Sequence, residues 1–191
     1  NLIVIFHNRW TLWISSTHFD NEERLKNYKM NSRKNIDKIK LTSEYIDEQK
    51  RIDLIKKNLI STINSTLEKK HKVILVYPVP ETGFDVPRAI YNKLNKGLRI
   101  NSKNNNVPIL TTSYNVYKKR NKLIFEILDS IQGDDVFRVY PHKHFCDNQI
   151  KDRCVSNSKD TIYYSDDDHL SVQGSALVVE DIVDMIKRIK N

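Results

Sequence analysis

Val73-Ile74-Leu75-Val76-Tyr77-Pro78-Val79-Pro80 is the stretch from which the architecture follows. Five consecutive apolar residues, stopped by two prolines, read as a short strand buried on both faces. Two comparable runs flank it in the chain: Leu2 to Phe6, and Val136 to Tyr140, which ends at Pro141. Helical patterns fill the intervals. Thr42-Ser43-Glu44-Tyr45 opens a long helix, with Thr42 or Ser43 as its cap and an apolar stripe at Ile46, Ile52, Ile55, Leu59, Ile63 and Leu67. Val86 to Leu94 forms a short helix with Pro87 in its first turn. Ser113 begins another, carrying Val116, Leu123, Ile124, Ile127, Leu128 and Ile131. A last helix from Val172 to Ile189 is expected to bury Ala176, Val179, Ile182, Val183 and Ile186, and a short extended piece, Thr161 to Tyr164, lies upstream of it. Residues 20–41 are rich in Lys, Asn, Asp and Glu and read as a polar loop or insertion. Strands separated by helices indicate α/β layers around a parallel sheet. In such sheets functional residues gather at the carboxyl ends of the strands. Those ends are Phe6 to Trp10, Tyr77 to Arg88, and Tyr140 onward.

The bulk properties narrow the field. At 191 residues the chain is a single domain, large enough to bury a core. No apolar run approaches the roughly 20 residues of a membrane helix. The chain starts at Asn1 and enters an apolar strand at once, which reads as a piece of a longer protein. The net charge of +8 is spread along helices that also carry acids and Asn, the pattern of a solvated surface. No nucleic-acid-reading motif accompanies it. Attraction to an anionic glycan or to lipid headgroups stays open.

Tyr163-Tyr164-Ser165-Asp166-Asp167-Asp168-His169-Leu170-Ser171-Val172-Gln173-Gly174 carries the chemistry. An acid three residues ahead of a histidine, at the lip of an amphipathic helix, can bond one imidazole nitrogen while the other faces a pocket. That is the base a serine esterase requires. Taken alone, an Asp-x-x-His is more often a surface pair or a helix cap.

Asp-x-x-His-Leu-Ser followed by Gly resembles the last block of the SGNH hydrolase superfamily. Three further features resemble one subgroup of it: Arg9-Trp10 after a strand, Val76-Tyr77-Pro78-Val79-Pro80-Glu81-Thr82-Gly83-Phe84-Asp85-Val86-Pro87, and Phe145-Cys146 with a second cysteine before the Asp-His segment. That subgroup comprises the periplasmic SGNH domains at the C-terminus of membrane-bound bacterial acyltransferases, which O-acetylate surface polysaccharides such as lipopolysaccharide O-antigen. The resemblance covers nearly the whole chain. It implies a three-layer α/β/α, flavodoxin-like parallel sheet, here lacking its first two strands. It implies a Ser-His-Asp mechanism with His169 as base and Asp166 as its orienting acid, Asp167 and Asp168 being exposed spacers without a catalytic role. It further implies an oxyanion and substrate pocket from Asn8, Arg9, Trp10, Phe84 and Asp85, in which Phe84 covers substrate and Arg88 pairs with an acid. The expected partners are a surface polysaccharide and an acyl donor delivered by a membrane domain, at the periplasmic face of the inner membrane, with no nucleic acid. Acyl transfer through serine needs no cofactor.

The family's nucleophile block, Gly-Asp-Ser, occurs nowhere in these residues. Ser15 and Ser16 follow a different strand and lack the glycine of a tight nucleophile turn. The serine is therefore expected upstream, this chain alone is expected to be inactive, and its first strand is expected to present an open apolar edge. Cys146 and Cys154 would form a disulfide in a periplasmic domain. A zinc site from His142, His144 and the two cysteines is the competing possibility, although its spacing matches no common structural zinc motif. Two other functions stay open: a non-catalytic module that binds glycan or anionic surfaces, and a simple carbohydrate esterase.

Overall fold

The computed structural model describes residues 1–15, 47–99 and 107–191. The elements run β1 (Ile3–Phe6), α1 (Trp10–Ser15), α2 (Glu48–Glu68), β2 (Lys72–Val76), α3 (Val86–Arg99), β3 (Thr111–Ser113), α4 (Tyr114–Asp129), β4 (Val136–Val139), α5 (His142–Phe145), β5 (Arg153–Val155) and α6 (Val172–Lys190). β2 is the middle of a three-stranded sheet in the order β1-β2-β4, and both of its pairings are parallel.

The side chains of β2 explain the layers. Val73, Leu75 and Tyr77 enter one core with Trp10, Ile14, Ile63, Ile124, Ile127 and Leu128, from α1, α2 and α4. Ile74 and Val76 point the other way, toward Phe145 and Val178 of α6. Strand side chains alternate between faces, so a continuous apolar run is what a strand between two helical layers requires. Each fully buried aliphatic side chain contributes about 1.5–3 kcal/mol. The result is the α/β/α arrangement expected.

Several details depart from the sequence reading. Residues 20–41, Thr42, Ser43 and Ile46 lie outside the described residues, and the described helix starts at Glu48 with Asp47 as its cap, accepting from the Lys50 amide. Ser113 does cap α4, from the Val116 amide. A small antiparallel sheet, β3 with β5, escaped notice because each strand has only three residues, Thr-Thr-Ser and Arg-Cys-Val. The burial expected for α6 is corrected: Ala176 is exposed, Val179 is 52% and Val183 is 41% exposed. The buried stripe is Gly174 and Val178, flanked by Leu177, Ile182, Met185, Ile186 and Ile189. Gly174 decides the choice. A Cβ there would lie 2.1 Å from the Tyr163 carbonyl oxygen, so only glycine lets α6 approach on that side.

One charged side chain is deeply buried. Arg51 of α2 is 3% exposed and donates to the carbonyls of Trp13 and Ile14 at 2.5 Å, while Glu48 neutralises it. It thereby satisfies backbone acceptors at the end of α1 that have no partner within that helix.

Candidate active site

The backbone around His169 is fastened from three sides. Ser171 caps α6 by accepting from the Gly174 amide, and its hydroxyl donates to the Ile162 carbonyl at 2.7 Å. The Ser171 amide donates to Tyr163, and Ser165 N–H closes the loop on the His169 carbonyl, both at 2.8 Å. From the opposite side comes the segment after β2. The Thr82 amide and hydroxyl both donate to the Asp167 carbonyl, at 2.9 and 2.8 Å, and the Val86 amide donates to the Asp166 carbonyl. Pro78 and Pro80 end the strand ladder, and buried phenols satisfy their carbonyls: Tyr117 on Pro78 and Tyr164 on Pro80, each at 2.7 Å. Burial raises both phenols, so each stays a protonated donor.

On this frame sits the dyad. His169 Nδ1 lies 2.7 Å from Asp166 Oδ2, while Asp166 Oδ1 accepts from the Asp168 and His169 amides at 2.9 and 2.7 Å. Burial opposes the charge on Asp166, but these two amides and the ring together hold its carboxyl below the usual range. The ring is 61% exposed, and with Nδ1 committed to carboxylate, Nε2 is the nitrogen available to a reacting hydroxyl.

Asp168 is no exposed spacer. Its side chain is 9% exposed; Oδ2 meets Arg9 and Oδ1 lies 2.8 Å from His169 Nδ1. Arg9 also approaches Glu81 at 3.8 Å, and Glu81 is held by Arg120 at 2.6 Å. Nothing in the sequence around Asp168 distinguished it from its acidic neighbours, Arg120 carried no signal, and Glu81 entered only as part of the segment Val76 to Pro87.

The other anticipated pocket residues separate into two groups. Arg9 and Asn8 stand at the carboxyl end of β1; the Asn8 side-chain carbonyl accepts from the Arg9 amide at 2.7 Å, leaving its NH₂ as the donor end. Trp10 and Phe84 belong to the cores instead, at 3% and 6% exposure, and Trp10 Nε1 donates to the Val76 carbonyl. Burial of an aromatic ring removes it from contact with a substrate, so the covering role expected of Phe84 is not the one its position allows. Asp85 accepts from the Arg88 amide at the start of α3, a capping position. Arg88 itself is exposed. Cys146 and Cys154 are joined as a disulfide, which takes both sulfurs away from zinc. The preceding Phe145 is fully buried against the rings of Tyr163 and Tyr164, so the bridge secures the support behind the dyad.

The serines nearest the base are engaged with backbone. Ser165 donates to the His169 carbonyl and Ser171 is the helix cap. Neither presents its hydroxyl as a nucleophile, and Ser16 lies outside the described residues.

An α/β/α sheet with an Asp-His dyad on the loop before its last helix defines an SGNH-type esterase or acyl-transfer module. The chain belongs to the family described as SGNH domain (fused to AT3 domains), whose model matches residues 1–184. No curated protein and no solved structure matches it significantly. AT3 denotes acyltransferase domains, and membership of this family supports an acyl-transfer or esterase module. Among the described residues no helix is long and apolar enough to cross a membrane.

Proposed function

We propose that this domain passes an acetyl or similar acyl group to a hydroxyl of a cell-surface polysaccharide, such as lipopolysaccharide O-antigen, on the periplasmic face of the inner membrane. The observation that carries the reading is the imidazole of His169, oriented through Nδ1 by an ionised Asp166 with Nε2 left for a hydroxyl. The serine comes from a Gly-Asp-Ser segment outside these residues. His169 takes its proton as it attacks the acyl donor, an ester forms on the serine oxygen, and the donor's leaving group departs with the proton returned by His169. A sugar hydroxyl, deprotonated by the same nitrogen, then takes the acyl group and frees the serine. Asp166 keeps the imidazole in the required tautomer and stabilises the imidazolium. The Asn8 NH₂ is the candidate donor to the developing oxyanion, a role typically worth a few kcal/mol of barrier. The acyl donor is delivered by the membrane-embedded acyltransferase domain of the parent protein. The sequence supports this arrangement through its fusion family and its disulfide.

The test is O-acetylation of surface glycan by the parent protein, followed by mass spectrometry. His169→Ala should lower turnover by about 10⁴-fold, the scale of a triad member. Unchanged acetylation would mean that this dyad is not the base.

A further inference from the structure

We propose that Asp168, clamped by Arg9, is a second positioning residue for the base, so that Nδ1 of His169 faces two carboxylates. This rests on the reading of His169 as the base, and it concerns what holds the ring.

The geometry divides the work. The ring N–H is directed at Asp166 Oδ2, 2.7 Å away, and Asp168 Oδ1 lies 2.8 Å from the same nitrogen, off the line of that hydrogen bond. The two acids are anchored differently. Asp166 is fixed by the local backbone, accepting from the Asp168 and His169 amides of its own turn. Asp168 is fixed by a side chain from another part of the chain, since Arg9 follows β1 and lies 159 positions away in sequence. Asp166 therefore orients the ring from within its own loop, while Asp168 ties the ring to the end of the strand that also carries Asn8. Glu81, held at 2.6 Å by Arg120, lies 3.8 Å from the same Arg9 nitrogen that meets Asp168, so a second, anchored carboxylate helps to fix the guanidinium.

Charge and burial are consistent with this role. With its side chain 9% exposed, Asp168 faces Arg9 and the imidazole edge as its compensating groups among the described residues. A buried carboxylate facing an imidazole favours the tautomer with hydrogen on Nδ1, because the alternative sets a lone pair against negative oxygen. Burial also raises the Asp168 carboxyl, the Arg9 charge opposing it.

The experiment is ¹⁵N NMR of the imidazole in this chain, at a pH where the ring is neutral. It needs no serine, so its outcome is independent of whether the parent protein transfers acyl groups. The unsubstituted chain should show a protonated Nδ1 and a bare Nε2. Asp166→Asn and Asp168→Asn should each shift the tautomer balance part of the way, and the double variant should lose the preference. Arg9→Gln should reproduce the Asp168→Asn spectrum, whereas Arg9→Lys should stay close to the parent. If Asp166→Asn alone gives the double-variant spectrum and Asp168→Asn changes nothing, the proposal fails. Should Asp168→Asn not fold, the side-chain carboxyl ¹³C signals of the unsubstituted chain decide. Protonating His169 must then move the Asp168 signal together with that of Asp166, and movement of Asp166 alone overturns the idea.

Discussion

The loop around His169 and strand β1, whose end it meets through Arg9, are secured to very different degrees. Around the base, the carbonyls of Asp166, Asp167 and His169 and the amides of Ser165, Asp168 and His169 all have protein partners. β1 has pairing on one side, to β2, and leaves Leu2 64% and Ile5 43% exposed. The sheet thus delivers a finished base opposite an open edge. Rigidity has been concentrated where the imidazole must be aimed, and the side from which a nucleophile would come is left uncovered among the described residues.

That contrast can be attacked first at its tightest point. Gly174→Ala places a methyl group against the Tyr163 carbonyl and should cost about 3 kcal/mol in urea unfolding, because backbone must move to admit it. A loss below 0.5 kcal/mol, or about that, would show the loop to be looser than described. Reducing the Cys146–Cys154 bridge comes next. By loop entropy it should lower stability by about 2–3 kcal/mol, and it should loosen Tyr163 and Tyr164 in hydrogen exchange before it affects β1.

A pH effect of intermediate size comes from His142. Its ring packs among Tyr114, Tyr117, Phe125 and Tyr140, and its buried Nδ1 lacks a partner among the described residues. Burial, aided by the Lys143 charge, pushes its pKa from 6.5 down to about 4. Between those values the unfolded chain binds a proton that the folded ring refuses. Stability should therefore fall as pH drops from about 6.5 to about 4, by about 1–2 kcal/mol after allowing for partial exposure, and level off below. His142→Phe should flatten that slope, and an unchanged slope would assign it to other groups. The smallest effect belongs to the open edge: Ile5→Thr should change stability by no more than about 0.5 kcal/mol. A loss several times larger would mean β1 is covered after all.

Much of this molecule could be read before its structure was seen, for identifiable reasons. The three strands of the parallel sheet were legible because each is a short, mainly apolar run, broken only by Arg138 in β4, and Asp166 with His169 because their spacing has a direct geometric meaning. The rotation of α6 was not legible. The expected stripe joined Ala176, Val179 and Val183 to Ile182 and Ile186, but only the last two pack against the core, with Gly174, Val178 and Met185 in place of the others. The choice rests on a backbone contact at Gly174. Arg51 was passed over and Asp168 was read as an exposed spacer because charged residues are ordinarily solvated, and only tertiary partners explain their burial. Phe84 and Trp10 show the reverse error, since position in a family motif does not say whether an aromatic ring faces substrate or core.

The central claim is that these residues hold a positioned base whose serine comes from elsewhere. Treating the purified chain with a fluorophosphonate probe and measuring its intact mass tests that directly. The account predicts no adduct on this chain and a single adduct once a segment bearing Gly-Asp-Ser is joined to it. A single adduct on the chain as it stands, lost in His169→Ala, would contradict it and would place the nucleophile among these 191 residues.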